Sequence, residues 1–307
     1  MSSGVYKPYS VQLDLVSPML LRGAENTANS APEMRAPAFR GAMRYWLRAC
    51  AGGVIGDDNL AGLHQLETAI FGDTKTGSAI VIRVLRSEDQ PITINRKYLL
   101  PHKNEGSRYF FTGGSIQLEV RPRQLMTEEK WQAITAVTRL FIALGAVGSR
   151  SRRGYGGLQP TEPAIVGLRS WNMYIQETVS NAVQAVGVLA GQLGIAPEAL
   201  PAGPCAFPCA STSARIRLLN HVSLNADAEV TWLMQQVQAN HGDWIGFVHG
   251  GTRQASPMHA RVVKMHEGYR TQLVTLPSRF NHANYHELNA FIDNLPGIDI
   301  RVEGWNQ

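Results

Sequence analysis

The sequence predicts an α+β protein, and three observations support that class. Its 307 residues exceed the roughly 100 to 200 residues of a usual domain, so two domains are expected. Apolar residues alternate with polar ones in some segments and recur at helical spacing in others. In the first half these segments follow the order β, α, β, β, α, β, which is the ferredoxin-like plan. We therefore predict two ferredoxin-like domains packed together, at residues 1–165 and 166–307.

The first domain opens with a strand and two helices. Alternating apolar residues from Val11 to Leu15 predict a strand that ends near Pro18. A loop at 22–37 leads into an amphipathic helix, and a second short helix ends at Gly72, a residue type common just after a helix. The residues on the apolar face of the first helix are Phe39, Met43, Trp46, Leu47 and Cys50.

The remainder of the first domain supplies three strands and one helix. Strands at about 78–86 and 114–121 flank a long polar and aromatic excursion at 87–112. A threonine cap and an acidic first turn predict a helix that begins at Thr127. A glycine-rich loop then joins this helix to a last strand that begins in "YGGLQPT".

The second domain repeats this plan less regularly, after a helical connector, "NMYIQETVSNAVQAVGVLAGQLG". We predict that its hairpin turns at Glu267-Gly268. The predicted elements are the strand "SARIRLLN", the helix "ADAEVTWLMQQVQAN", the hairpin "HARVVKMHEGYRTQLVTL", the helix "NYHELNAFIDNL" and the strand "IDIRV".

Positive charge is concentrated in the first half of the chain. Residues 1–160 hold 20 Lys and Arg against 13 Asp and Glu, whereas residues 161–307 hold 9 against 11. No acidic residue lies between Glu129 and Glu162. A localised basic surface is typical of proteins that bind polyanions, most often nucleic acids, although an ordinary solvated surface is the alternative.

Composition also bears on compartment and metal binding. The sequence shows neither an apolar run long enough for a membrane span nor a signal peptide, so we expect a cytoplasmic protein. Three cysteines in a long chain are typical of a reducing compartment. Cys205 and Cys209 lack the two further nearby ligands that zinc needs, so no metal and no cofactor are expected.

The glycine-rich loop "GSRSRRGYGG" is the strongest functional signal. Three arginines within four positions, Arg150, Arg152 and Arg153, cannot all face a core, and guanidinium groups match phosphate oxygens in geometry. Tyr155 could stack on a base or pack on the sheet. The loop lacks the phosphate-binding and dinucleotide-binding glycine patterns, so neither an NTPase nor a dinucleotide enzyme is indicated.

A second group of arginines recurs along the first helix, at Arg40, Arg44 and Arg48. Their spacing of four residues places them on one helix face. A solvated helix face explains such a stripe as well as nucleic-acid binding does, and contact with anionic lipid is a further alternative.

Five motifs follow one another along the chain: "SPMLLRGA", "MRAPAFRGAMRYWLRA", "LETAIFGDTKTGSAIVIRV", "GSRSRRGYGGL" and "RQASPMHARVVKM". In this order they resemble motifs of the RAMP superfamily of CRISPR-Cas proteins. The similarity is strong over roughly residues 10–160, and within the superfamily it points to the first-numbered subunits of type III-B (Cmr) RNA-targeting complexes.

This resemblance implies a non-catalytic RNA-binding subunit of a type III effector ribonucleoprotein. Its partners would be the guide crRNA near its 3′ end, complementary target RNA and other RAMP or Cas subunits, with no membrane. The excursion at 87–112 would correspond to the thumb of backbone subunits. The implied RNA-binding residues are Arg22, Arg35, Arg40, Arg44, Arg48, Lys103, Arg150, Arg152, Arg153 and Tyr155.

The alternative function is an endoribonuclease that slices target RNA or processes guide RNA. Slicing relatives use an aspartate in the loop after the first strand, whereas here that loop offers Glu25 and Glu33 and no aspartate. Glutamate can also bind magnesium, so this alternative stays open. A metal-free mechanism would need a histidine base, and His64 and His102 are the candidates nearest the first domain's helices and thumb. A purely structural subunit is the third alternative.

Overall fold

The structure is a computed structural model that describes residues 6–23, 25, 27–162, 165, 167–240, 242–249, 252–279, 285–303 and 305. The elements of the first half are β1 (Tyr9–Leu15), α1 (Ala36–Ile55), α2 (Leu60–Phe71), β2 (Ile80–Arg86), β3 (Thr93–Leu100), β4 (Glu105–Thr112), β5 (Ser115–Pro122), α3 (Glu128–Leu144), β6 (Arg153–Gly154) and β7 (Leu158–Pro160). The elements of the second half are α4 (Leu168–Gln192), β8 (Arg215–Leu219), α5 (Ala226–Ala239), β9 (Phe247–His249), β10 (Thr252–Gln254), β11 (Met258–Met265), β12 (Gly268–Thr275), α6 (Tyr285–Asp293) and β13 (Gly297–Asp299).

The first sheet has the strand order β2-β5-β1-β7 and its neighbouring strands are antiparallel. Leu13 of β1 lies opposite Ile116 of β5, and Leu15 lies opposite Leu158 of β7. These side chains are buried because the period-two pattern of β1 turns one face of the sheet toward the helices.

The second sheet has the order β13-β8-β12-β11-β6. Its edge strand β6 comes from the glycine-rich loop of the first half and runs parallel to β11, with Arg153 paired to Ala260. The loop that carries the arginines is therefore hydrogen-bonded into the sheet of the other half, a long-range pairing that the sequence pattern did not predict.

A continuous core joins the two halves. Trp46 of α1 stacks on Trp305, with ring centroids 6.4 Å apart, and both are buried. Arg261 of β11 is 1 % exposed; it lies over Trp171 and donates to the carbonyl oxygens of Ile142 and Leu158. Since an unsatisfied buried guanidinium is costly, these carbonyl bonds fix the first half against the second.

The α+β class predicted from the sequence is confirmed, and so are most elements. The excursion at 87–112 forms the antiparallel pair β3-β4, with a short 3-10 turn at Pro101–Lys103 at its tip. The prediction for the second hairpin was wrong by one residue, because Met265 pairs with Gly268 and the turn is His266-Glu267. Within the described part of the chain, every helix is too short or too polar to cross a membrane.

Candidate nucleic-acid interface

The loop at 145–157 has a defined conformation that depends on glycine. Gly148 and Gly156 have φ values of 97° and 71°. A Cβ on Gly156 would lie 1.9 Å from the carbonyl oxygen of Val147, so only glycine fits there. Ser149 N donates to Leu20 O at 2.9 Å, which places the loop beside the segment that follows β1.

Arg152 lies on an aromatic platform on α1. Its guanidinium carbon is 5.2 Å from the ring centroid of Tyr45, and one of its N–H groups donates to Ser256 O. Tyr45 Oη and His259 Nε2 are 2.7 Å apart. Burial raises the pKa of Tyr45 to about 12 and, with the charge of Arg152, lowers the pKa of His259 well below its usual value. Both groups are therefore neutral at pH 7, and Arg152 supplies the charge here.

Arg150 and Arg153 lie on the other side of the loop, toward the β3-β4 pair and α5. Both are half-buried, and Arg153 Nη2 donates to Ile245 O at 3.3 Å. Burial lowers the pKa of both guanidinium groups, and the charge of Arg150 lowers that of Arg153 further. Among the described side chains, no carboxylate lies within 4.0 Å of Arg150, Arg152 or Arg153.

Tyr155 packs inside the protein. It is 2 % exposed, stacks on Phe110 with centroids 5.3 Å apart, and donates its hydroxyl to Tyr98 O at 2.5 Å. Burial raises its pKa, so the hydroxyl keeps its proton. Of the two sequence alternatives, packing is the one this geometry favours, because the ring has no open face for a base. Its place in the site is to hold the β3-β4 pair against the loop.

Two arginines of the α1 stripe have a carboxylate partner. Arg44 Nε and Arg48 Nη2 donate to the same oxygen of Glu67 on α2, at 2.7 Å and 2.8 Å. Burial alone would raise the pKa of Glu67, but the hydrogen bonds and charges of Arg48 and Arg44 outweigh it and lower the pKa. This network is not apparent from the sequence, because Glu67 is 23 residues from Arg44 and 19 residues from Arg48. Arg40 has no such partner among the described side chains.

The remaining predicted residues surround the loop at different depths. Arg22 is half-buried, and its carbonyl oxygen accepts a bond from Arg35 Nη1 at 3.4 Å. Arg35 is exposed and lies 3.9 Å from Glu33. Lys103 is exposed at the tip of the β3-β4 pair. Arg22 and the α1 start are thus brought close to the loop through Leu20, whereas Lys103 lies on a separate element.

The β3-β4 pair is docked onto the second half. Lys97 Nζ is 2.5 Å from Asp227 Oδ2 of α5, and the turn at the tip also packs on α5. Arg96 lies over Tyr109 at 4.9 Å and donates to Asn29 Oδ1 at 2.8 Å. Two cations of the excursion at 87–112, Arg96 and Lys97, are therefore engaged within the chain.

The candidates for catalysis are dispersed. Glu25 and Glu33 are exposed, and His64 lies 3.8 Å from Asp73. In the described ranges, no group of three or more His, Cys, Asp or Glu side chains is placed to hold a metal ion. His282 lies four residues before His286, a helical spacing that could bring both histidines to one metal ion, but His282 falls outside the described residues. Cys205 and Cys209 are buried free thiols.

Comparison with known proteins confirms the resemblance seen in the motifs. Residues 12–159 match the model of the RAMP superfamily. The CRISPR system Cmr subunit Cmr1-1 of Pyrococcus furiosus is 34% identical over 140 residues, which are 42% of this chain and only 40% of that protein. Cmr1-2 of the same organism is 26% identical over 179 residues, or 48% of this chain and 91% of that protein.

Solved structures share the fold at low sequence identity. The crystal structure of apo Cmr1 from Pyrococcus furiosus superposes with a TM-score of 0.66 at 17% identity, covering 98% of this chain and 100% of that one. A chain from the type III-B Cmr-beta complex bound to cognate target RNA gives a TM-score of 0.60 at 9% identity, covering 92% and 98%.

Proposed function

We propose that this chain, whose residues 12–159 match the model of the RAMP superfamily, is a non-catalytic RNA-binding subunit of a type III CRISPR-Cas effector ribonucleoprotein. It contacts the guide crRNA backbone near its 3′ end and helps to capture complementary target RNA, beside other RAMP or Cas subunits. The names of its Cmr1 relatives and the RNA-bound state of the Cmr-beta complex support this assignment.

The observation that carries the proposal is the state of the loop arginines. Arg150, Arg152 and Arg153 are half-buried. Arg152 and Arg153 donate to backbone carbonyl oxygens and Arg152 lies over an aromatic ring, but the described side chains offer none of the three a carboxylate within 4.0 Å. A desolvated guanidinium without an acid gains most from an external anion. RNA phosphates supply such anions at regular spacing, and guanidinium forks match their geometry.

The sheet topology supports the interpretation of this α+β fold as two ferredoxin-like units. In each unit the last strand lies at one edge beside the first, followed by the third and the second: β7-β1-β5-β2 and β13-β8-β12-β11. The proposed domains 1–165 and 166–307 follow these two sheets, with β6 crossing between them. Modules of this plan commonly bind single-stranded RNA.

Contacts to phosphates do not read sequence, so the guide supplies specificity through base pairing. Binding of labelled single-stranded RNA should then be nearly independent of sequence. A plot of the logarithm of the association constant against the logarithm of the salt concentration should have a slope of about -0.7 per phosphate contact. Arg152→Gln should weaken binding roughly tenfold, the loss expected for one charged hydrogen-bonding contact.

Arg121→Gln is the matched control, because Arg121 is paired with Glu119 on the first sheet at 2.7 Å, away from the loop. An equal loss of RNA affinity in both variants would show that the effect comes from net charge alone and would contradict the proposal.

Incubation with guide and labelled target, with and without magnesium, tests the endoribonuclease alternative. A cleavage product that Glu25→Ala or Glu33→Ala abolishes would replace the binding role with slicing.

A further inference from the structure

A cavity of about 210 Å³ lies between the tip of the β3-β4 pair, the glycine-rich loop and α5. His102, Arg150, Arg153 and Gln238 contribute its polar lining. We name it the His102 cavity. It lies beside the RNA-binding loop but is enclosed by a different set of elements from those around Arg152.

His102 is an unusual wall residue for such a cavity. Both of its ring nitrogens are buried, and neither has a hydrogen-bond partner among the described residues. An imidazole carries at least one N–H donor in any protonation state, so a buried donor here is unsatisfied. Buried polar groups are normally paired, so an acceptor atom that enters the cavity would satisfy this N–H group.

The two arginines add positive charge without compensation. Burial lowers the pKa of each, and Arg150 further lowers that of Arg153, which means that the two guanidinium groups lie close enough to repel. Asp227 of α5 is already paired with Lys97, with Nζ and Oδ2 2.5 Å apart. An anion between the guanidinium groups would remove this repulsion.

The backbone conformation of Arg150 also supports an anion site in this cavity. Its φ is 59°, a left-handed conformation that favours glycine, in a loop that places glycine at its other left-handed positions. A long side chain is kept at this position despite the strain, and it is turned into the cavity. The apolar lining from Met234 and Val237 of α5 limits water and strengthens charge interactions inside.

We propose that the His102 cavity binds a phosphate group, held by Arg150, Arg153 and an N–H group of His102. The inference rests on the proposed function, because an RNA linkage passing the loop is the nearest source of phosphate. Free inorganic phosphate shares the same chemistry, and the experiment separates the two sources.

The first arm measures thermal unfolding of the full chain in sodium phosphate and in sodium chloride at equal ionic strength and pH. A phosphate site raises the melting temperature with phosphate concentration. The excess over chloride should vanish in His102→Phe and in Arg150→Gly, a variant that the left-handed backbone accommodates. Arg121→Gln, which removes a cation paired with Glu119 on the first sheet, is the matched control and should keep the excess.

The second arm measures RNA binding with phosphate as competitor at constant ionic strength. Phosphate at about ten times its dissociation constant should weaken RNA binding of the wild type and Arg121→Gln by up to roughly tenfold. It should have no effect on His102→Phe or Arg150→Gly. This result assigns the cavity to an RNA phosphate.

Each other outcome is decisive as well. Stabilisation by phosphate without competition assigns the cavity to free phosphate. Equal behaviour of all four proteins in phosphate and chloride overturns the proposal, even if Arg152→Gln still loses RNA. Conversely, phosphate binding could depend on His102 in a protein whose RNA binding is unchanged by Arg152→Gln. That result would support the phosphate site and contradict the proposed function.

Discussion

The arginines of α1 and those of the glycine-rich loop differ in what neutralises them. Arg44 and Arg48 share the carboxylate of Glu67, whose side chain is 6% exposed. Arg152 and Arg153 instead donate to carbonyl oxygens, which carry no net charge. The comparison teaches that the position of the nearest acid, more than the density of arginines, decides which cations are available to a polyanion.

The largest expected effect comes from breaking the loop geometry. Gly156→Ala would place a Cβ 1.9 Å from Val147 O at a φ of 71°. We expect a loss of about 3 kcal/mol in the free energy of unfolding, measured by urea denaturation, because steric overlap and backbone strain add. Gly191→Ala is the control, since a Cβ there meets nothing within 4 Å. A Gly156→Ala protein as stable as the control would mean that the loop is not fixed as described.

A smaller loss of stability should follow when the arginines of α1 lose their carboxylate partner, as the loop arginines lack one. Glu67→Gln leaves Arg44 and Arg48 without their acid. Because these arginines are 37% and 48% exposed, solvent screens them, and we expect a loss of about 1 to 2 kcal/mol in unfolding free energy. Unchanged stability would show that the network is a surface pair of little weight.

The same network sets a pH dependence. The folded-state pKa of Glu67 is lowered, so its stabilisation is present above the ordinary pKa of 4.5 and is lost as the pH falls through the lowered folded value. The wild type should therefore lose more stability than Glu67→Gln between pH 5 and the acid limit of folding. Parallel stability curves for the two proteins would contradict the lowered pKa.

The smallest effect on stability is expected at Arg150. Arg150→Gly relieves a left-handed backbone but adds freedom to the unfolded chain, and these contributions oppose one another. The free energy of unfolding should change by less than about 1 kcal/mol. A large destabilisation would show that the guanidinium holds the fold together, in contrast to its proposed role.

Local patterns predicted the elements that position the loop. Period-two alternation located β1, and the cap and apolar face at Thr127 to Leu144 located α3. Each of these signals depends on neighbouring residues within a few positions. The position of the loop, between α3 and β7, could be predicted from the sequence for the same reason.

Local sequence patterns could not predict the contacts that decide which arginines are paired with a carboxylate. Glu67 of α2 bonds Arg44 of α1, and β6 pairs with a strand about one hundred residues further along the chain. His102 and Arg150 line one cavity only because the β3-β4 pair packs onto α5. These are tertiary contacts, and neither propensity nor periodicity encodes them. The packing of Tyr155 on Phe110 belongs to the same class.

The most direct test compares the salt dependence of RNA binding in two variants. One is Arg150→Gln with Arg152→Gln and Arg153→Gln; the other removes the α1 network as Arg44→Gln, Arg48→Gln and Glu67→Gln. The loop variant should lower the slope of log affinity against log salt by about 2 and weaken binding roughly a thousandfold, since three phosphate contacts are lost. The α1 variant should change the slope by less than about 0.5. Equal losses in the two variants, or an unchanged slope in the loop variant, would contradict the central claim.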